Sequence, residues 1–298
     1  MKILLLGKNG QVGWELHRSL APLGELTALD RNSKNYCGDL SNLSGLADSI
    51  RAIRPDIIVN AAAYTAVDKA EDDIELAQTI NASAVAVLAA EAKAQGAWLV
   101  HYSTDYVFAG DGTKPWQESD ATGPLGIYGA TKLAGEQAIQ QSHCKHLIFR
   151  TSWVYGARGN NFAKTMLRLA GEHDSLTVIN DQIGAPTGAD LLADVTAHAI
   201  RAVYSQPELG GLYHLAAAGE TSWHGYASYV VDTAQKMGHP LKTGLDAIKP
   251  VPTSAFPTPA KRPNNSRLNT ARLQAKFALT LPPWQVGVSR MLTEFLEK

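Results

Sequence analysis

The sequence has few of the residues that mark secreted, disulfide-rich or zinc-binding proteins. Its two cysteines, Cys37 and Cys144, are too few for a disulfide framework and lack the spacing of a zinc site. The histidines show no H-x-x-x-H spacing, and the G-x-S-x-G sequence of serine hydrolases is absent. We therefore expect a protein of a reducing compartment, the cytoplasm, without zinc or serine-hydrolase chemistry.

Excess charge and long hydrophobic runs are also missing. Lys and Arg number 27 against 28 Asp and Glu, a formal net charge of -1, and no basic block offers a surface for nucleic acid or anionic lipid. No run approaches the roughly 18 apolar residues of a membrane-spanning helix. The apolar start, Met1–Leu6, is shorter than the hydrophobic region of a signal peptide. We predict a soluble protein with no nucleic-acid or membrane partner.

Short apolar runs alternate with helical patterns through the first half of the chain. The predicted strands are Ile3–Leu6, Leu26–Asp30, Asp56–Asn60, Trp98–Tyr102 and His146–Arg150. This alternation predicts right-handed crossovers and a parallel sheet buried on both faces. We expect an α/β fold: a doubly wound Rossmann domain over residues 1–150 and a smaller, mainly substrate-binding domain over 151–298.

The second half is less regular. Helical patterns cover Asn161–Ala170, Ala189–Tyr204 and Thr221–Met237. The proline-rich stretch Lys249–Asn265 excludes regular helix or central strand, and we predict a structured loop over a cleft. We also expect the domain boundary to be interleaved, with Asp181–Thr187 and Thr221–Met237 returning to the Rossmann sheet.

A glycine-rich turn joins the first strand to the first helix. Glycine permits a tight turn and close approach of backbone N–H groups to a pyrophosphate, which the positive end of the helix dipole also attracts. The predicted cofactor contacts in this turn are Gly7, Gly10, Gln11, Val12 and Gly13. Asp30, ending the second strand, fits the adenosine ribose diol and favours NAD. Arg31 beside it opposes that preference, so NADH and NADPH both remain open.

Tyr128 and Lys132 lie four residues apart on a predicted helix, so they share one face. A free phenol exchanges protons poorly at neutral pH, and a nearby ammonium lowers its pKa toward the range of general acid–base catalysis. The helix follows the strand ending at Ser103-Thr104, where a doubly wound sheet holds its ligand. We predict that Tyr128 and Lys132 are catalytic and also contact the cofactor.

Together these motifs resemble the extended branch of the short-chain dehydrogenase/reductase superfamily. Further segments resemble one family in it, the dTDP-4-dehydrorhamnose reductases, from the first strand into the C-terminal part. They are Ser103–Phe108, Arg150–Gly156, Asp181–Thr187 with the pattern D-Q-x-G-x-P-T, and Arg262–Leu268 with the pattern R-P-x-N-S-x-L. The resemblance implies NAD(P)H-dependent reduction of the 4-keto group of a dTDP-sugar, yielding dTDP-L-rhamnose for cell-surface polysaccharide.

The resemblance also implies roles for individual residues. Tyr128 donates a proton to the sugar C4 oxygen, Thr104 assists it, and Lys132 tunes Tyr128 and holds the nicotinamide ribose. Asp105 and Trp153 face the sugar, together with Thr104. The resemblance also implies that the cofactor is contacted by five further residues: Asp39, Leu40, Ala63, Tyr64 and Thr65.

Some members of the family form Mg²⁺-dependent homodimers. The resemblance therefore implies three acidic residues of this chain as candidate Mg²⁺ ligands in such a homodimer. Asp190 and Asp194 lie at i and i+4 on one helix face, and Glu15 is the third candidate ligand. Oxygen ligands suit Mg²⁺. The same residues are equally consistent with an ordinary, solvated acidic face of the helix. A metal ion at a dimer interface would be structural and not catalytic.

Two other functions remain open. The first is a nucleotide-sugar epimerase or dehydratase of the same fold, although dehydratases have Thr-Asp-Glu where this chain has Thr104-Asp105-Tyr106. The second is a non-catalytic regulatory subunit, against which the intact Tyr128, Lys132 and Thr104 argue.

Overall fold

A parallel six-stranded sheet forms the centre of the computed structural model, which describes residues 1–297. Its strands are β1 (Lys2–Leu6), β2 (Glu25–Leu29), β3 (Ile57–Asn60), β4 (Trp98–Thr104), β5 (Lys145–Thr151) and β10 (Gly211–His214). They lie in the order β2-β1-β3-β4-β5-β10, and every pairing is parallel. The winding direction reverses between β1 and β3, which is the position of the ligand crevice in such sheets. The predicted fold class is confirmed.

Helices and short strands complete the fold. The helices are α1 (Gln11–Leu20), α2 (Leu43–Ile53), α3 (Ile74–Gln78), α4 (Ala84–Gln95), α5 (Ile127–Ser142), α6 (Phe162–Glu172), α7 (Ala189–Ser205), α8 (Trp223–Lys236), α9 (Ala271–Phe277) and α10 (Trp284–Leu296). The short strands are β6 (Val154–Tyr155), β7 (Leu176–Ile179), β8 (Ile183–Gly184), β9 (Thr187–Gly188), β11 (Thr221–Ser222) and β12 (Ile248–Val251). Within residues 1–297, none of the helices has the length and apolar character needed to cross a bilayer.

Both faces of the sheet are covered. In β1, Ile3 and Leu5 join a buried cluster with α1 and α7, whereas Leu4 and Leu6 join another with α2 and α4. A third cluster holds α6, α8 and α10 together beyond the sheet. Burial on both faces explains why the strands read as continuous apolar runs in the sequence.

The segment that returns to the sheet is not the one predicted. Gly211–His214 adds the edge strand β10 beside β5, and α7 packs on α1. Asp181–Thr187 and Thr221–Met237 pair instead with each other, through β8 and β11. Glycine and proline interrupt Asp181–Thr187, which limits it to two-residue strands.

The proline-rich segment is held by specific contacts. Its first part is strand β12, which tolerates Pro250 because it lies at the edge of a two-stranded sheet with β7. Farther along, Arg262 Nη2 donates to Asp68 Oδ2 at 2.7 Å. The Asn265 side chain donates to the carbonyls of Asp111 and Lys114. The exclusion of helix and central strand is confirmed, but residues 249–251 form part of an edge strand and not of the predicted loop.

A buried ion pair connects α5 to β5. Arg150 Nε and Nη2 donate to the Glu136 carboxylate at 2.9 and 2.6 Å, and both residues are at most 4% exposed. We expect Glu136→Gln to lower the free energy of unfolding by about 3 kcal/mol or more, because it leaves the Arg150 charge buried without its counter-ion. Urea denaturation measures this.

The control is Glu172→Gln, which breaks the exposed Arg168–Glu172 pair on α6. An exposed pair contributes roughly 0–1 kcal/mol. Equal losses in the two variants would contradict the importance of the buried pair.

Candidate active site

A cleft of about 550 Å³ opens at the carboxyl ends of the central strands. Most predicted site residues line it: Gly7, Gly10, Gln11, Val12, Asp30, Asp39, Leu40, Ala63, Thr65, Thr104, Asp105, Tyr128, Lys132 and Trp153. Gly13 and Tyr64 do not. Gly13 is buried in the first turn of α1, packed against the backbone of Gly7. The Tyr64 hydroxyl donates to Asp73 Oδ2 at 2.7 Å. The sheet therefore brings both predicted motifs to one cleft.

The glycine turn is shaped for a group that approaches its backbone closely. Gly7 has φ +86°, and a Cβ there would lie 2.8 Å from Ala62 N. A Cβ on Gly13 would lie only 2.0 Å from Gly7 O, so only glycine allows the turn and helix to touch. Gly10 caps α1 without a side-chain hydrogen bond, so the helix N-terminus presents its N–H groups to an anion. These features fit a dinucleotide pyrophosphate.

Asp30, directly after β2, lines the same cleft as the glycine turn. Its Oδ1 accepts from Asn32 N at 3.0 Å, and its Oδ2 accepts from Asn9 Nδ2. Arg31, also lining the cleft, is exposed. Hydrogen bonds thus fix the Asp30 carboxylate beside the exposed Arg31 side chain. The carboxylate favours NADH and the guanidinium favours NADPH, so both cofactors remain compatible with the structure.

Tyr128 lies near the start of α5, beside Thr104 at the end of β4. Burial raises the pKa of Tyr128 to about 12, the Asp105 carboxylate adds to the rise, and the Thr104 hydroxyl offsets part of it. The structure thus reverses the predicted direction of this pKa. A phenol that stays protonated at neutral pH is suited to giving a proton to a developing alkoxide.

Lys132 is 2% exposed, one turn along α5. Its Nζ donates to Tyr102 O at 2.6 Å and lies 3.1 Å from His101 Nε2. Burial lowers the pKa of Lys132 to about 8, against an opposing effect of Glu136. Burial of Tyr128 thus outweighs the lowering of its pKa that the sequence suggested for a neighbouring Lys132.

Asp105 and Trp153 also line the cleft. Thr104 Oγ1 donates to Asp105 Oδ1 at 3.1 Å, and Asp105 Oδ2 has no hydrogen-bond partner although it is buried. Burial raises the pKa of Asp105 to about 6. Trp153 has φ +49°, and its ring stacks on Trp223 with centroids 3.6 Å apart. The cleft thus offers an unsatisfied acceptor and a flat apolar wall.

Two buried side chains of this site were not predicted. Asn81, within a π-helical turn at Thr79–Ser83, accepts from Tyr64 N at 2.9 Å and donates to Thr131 Oγ1 at 3.2 Å. His101 contacts Lys132, as described. A histidine inside the apolar run Trp98–Tyr102 was the available signal, since a polar residue in a buried strand needs a partner.

The structure offers no support for the magnesium site at Glu15, Asp190 and Asp194. Glu15 and Asp194 both pair with Arg18, at 3.4 and 2.9 Å, and Asp190 lies 3.2 Å from Arg290. Arginines therefore offset these acids. Over the part of the chain that the structure describes, no group of three or more His, Cys, Asp or Glu side chains could hold a metal ion.

The doubly wound sheet, the glycine turn and the Tyr128/Lys132 pair in one cleft define an NAD(P)H-dependent oxidoreductase of the extended short-chain dehydrogenase/reductase type. A family model described as "RmlD substrate binding domain" matches residues 1–297. The chain belongs to this family, whose curated members include the dTDP-4-dehydrorhamnose reductases, and the resemblance is confirmed.

Relatives match over nearly the whole chain. The dTDP-4-dehydrorhamnose reductase of Escherichia coli is 63% identical, covering 99% of this chain and 98% of that protein. The crystal structure of the Clostridium acetobutylicum enzyme of that name has a TM-score of 0.90 at 34% identity, covering 100% of both chains. The Bacillus anthracis enzyme, solved in complex with NADP, has a TM-score of 0.88 at 36% identity, covering 100% of this chain and 99% of that one.

The lowered pKa of Lys132 predicts a pH-dependent stability. Between about pH 8 and its ordinary pKa of 10.5, the unfolded chain holds a proton on Lys132 that the folded chain has released. Stability therefore rises with pH in this window. Relative to Lys132→Met, we expect the wild type to gain about 2 kcal/mol between pH 8 and 10, measured by urea denaturation.

The matched control is Lys236→Met, which removes an ammonium whose side chain is 74% exposed. Its stability difference from the wild type should be the same at both pH values. A pH-independent difference for Lys132→Met as well would show that Lys132 is charged throughout.

Proposed function

We propose that this chain reduces the 4-keto group of dTDP-4-dehydro-L-rhamnose to give dTDP-L-rhamnose, using NADPH or NADH. The observation that carries the proposal is the convergence of Thr104, Tyr128 and Lys132 on the cleft that also holds the glycine turn. The 63% identity with the Escherichia coli reductase, over 99% of this chain, supports the assignment of the substrate. The bound NADP of the Bacillus anthracis enzyme supports the cofactor.

The residues divide the cleft into a cofactor side and a sugar side. The turn from Gly7 to Gly13 and Asp30 would hold the dinucleotide, whose nicotinamide supplies the hydride when bound. Asp105 and Trp153, at the other side, would contact the sugar. We propose that residues 1–150 bind the cofactor and that 151–298 mainly bind the sugar nucleotide, apart from α7 and β10.

Tyr128 would act as the acid. As the hydride adds to C4, the carbonyl π bond breaks, the C4–H bond forms, and the electron pair moves to oxygen. The Tyr128 hydroxyl gives its proton to that oxygen and is left as phenolate, while the Thr104 hydroxyl assists. Lys132, on the same helix face, would stabilise the phenolate and orient the nicotinamide ribose. The products are the alcohol and the oxidised cofactor.

Tyr128→Phe tests this assignment. Removing the proton donor should lower kcat by about 10²–10⁴, with KM little changed, because the ring and its packing remain. The assay follows cofactor oxidation with the dTDP-4-keto-6-deoxysugar, and the wild type should oxidise one cofactor per sugar reduced.

Tyr204→Phe is the control, because Tyr204 is exposed and does not line the cleft. Turnover by Tyr128→Phe at the wild-type rate would overturn the acid role. Absence of net cofactor oxidation by the wild type would favour an epimerase or a non-catalytic subunit instead.

Cofactor preference depends on the charge at Asp30. Asp30→Asn keeps an oxygen for the Asn32 N–H but removes the repulsion of a 2′-phosphate. We expect the ratio of kcat/KM for NADPH over NADH to rise about tenfold, which corresponds to about 1.4 kcal/mol. Asp48→Asn, on the exposed side of α2, should leave the ratio unchanged. An unchanged ratio in Asp30→Asn would exclude Asp30 from the ribose site.

A further inference from the structure

The side chain of Asn9, in the glycine turn, contacts the carboxylate that would hold the cofactor ribose. Its amide nitrogen Nδ2 donates to Asp30 Oδ2, and both residues line the cleft. Because a carboxylate only accepts hydrogen bonds, the amide must face it with its NH₂ group and not with its oxygen. The sequence patterns did not predict Asn9 as a cofactor contact, although it immediately precedes Gly10.

The Asp30 carboxylate has little acceptor capacity left. Its two oxygens offer about four lone-pair positions for hydrogen bonds. Oδ1 accepts from Asn32 N at 3.0 Å and from the Ser33 hydroxyl at 3.1 Å, so both of its positions are used. With Asn9 bound to Oδ2, a single position remains on the carboxylate.

This remaining capacity limits how Asp30 can bind NADH. The adenosine ribose of NADH carries two adjacent hydroxyl groups, and an acidic residue after the second strand accepts hydrogen bonds from this diol. Accepting from both hydroxyls takes two positions, so one present partner must leave. Asn32 donates from its backbone, and Ser33 Oγ also accepts from Asp30 N at 3.0 Å. The exposed side chain of Asn9 is therefore the partner that the diol displaces.

A 2′-phosphate, as in NADPH, makes the opposite demand on the site. It accepts hydrogen bonds, and its charge is repelled by that of Asp30. The Asn9 NH₂ group has two N–H donors and uses one of them on Asp30; within residues 1–297 the other has no partner. An amide that donates to the carboxylate and to a phosphate places two N–H dipoles between the two anions. Asn9 thus favours NADPH without adding a charge.

We propose that Asn9 is a specificity-determining residue for the cofactor: it occupies Asp30 Oδ2 against the ribose diol of NADH and offers its second N–H to the 2′-phosphate of NADPH. The inference rests on the proposed function for the identity of the cofactor. Asn9 is exposed and its φ is not positive, so a shorter side chain fits the turn without backbone strain.

Binding of the two cofactors to the free protein tests the proposal. NADPH and NADH are titrated into the wild type and Asn9→Ala without sugar, and the emission of the reduced nicotinamide gives each Kd. Losing a donor to the phosphate weakens NADPH binding, and freeing Oδ2 for the diol strengthens NADH binding. We expect the ratio of Kd for NADPH over Kd for NADH to rise about tenfold, the effect of one hydrogen bond to a charged group.

Asn32→Ala is the matched control for this titration. Asn32 is exposed, does not line the cleft and contacts Asp30 through its backbone N–H, which alanine keeps. Its ratio should equal that of the wild type. An unchanged or lower ratio in Asn9→Ala, or an equal rise in both variants, would overturn the proposal.

Combination with Asp30→Asn tests whether Asn9 acts through the carboxylate. In that background, Asn9→Ala frees no carboxylate oxygen and removes no shielding of a negative charge. The rise in the Kd ratio should therefore be smaller, by at least about threefold, than the rise in the wild-type background. An equal rise in both backgrounds would mean that Asn9 acts independently of Asp30, which contradicts the proposal.

The titrations omit the sugar and are therefore separate from the test of the proposed function. A protein that shows these changes in Kd but oxidises neither cofactor with the keto-sugar would contradict the proposed function alone. A protein that reduces the keto-sugar, but whose Kd ratio is the same in Asn9→Ala, would contradict only the role of Asn9.

Discussion

Burial of the central sheet on both faces is the constraint on which the site depends. Strands covered by helices on either side leave polar groups at their carboxyl ends with little access to water. Asn60, His101 and Lys132 meet there and satisfy one another. The same burial moves the pKa of Tyr128 upward and that of Lys132 downward. The pKa values of these two groups therefore depend on burial by the whole fold and not on one residue pair alone.

Local sequence patterns identified most of the architecture and both cleft motifs. The turn at Gly7–Gly13 has a backbone geometry that only glycine permits, so its spacing is informative. The i, i+4 spacing of Tyr128 and Lys132 places them on one helix face. These features depend on short stretches of chain, which is why they were predictable.

Features that depend on distant contacts were not predictable. The direction of the Tyr128 pKa depends on burial, which the i, i+4 spacing does not report. The pairing of Asp194 with Arg18 joins residues far apart in the chain, so the acids resembled a ligand set in the sequence alone. In strand β10 (Gly211–His214), a glycine and a histidine flank only two apolar residues, so the sequence lacks the continuous apolar run that marked the other central strands.

The return of β10 to the sheet has a consequence for synthesis of the chain. A ribosome that has produced the first 150 residues has made five of the six central strands, but β5 still presents an open edge. That edge stays unpaired until residues 211–214 emerge, and α1 lacks its cover until α7 does. Unpaired edges and exposed apolar faces promote aggregation, so the nascent chain is prone to aggregate until residues 211–214 have emerged and paired with β5.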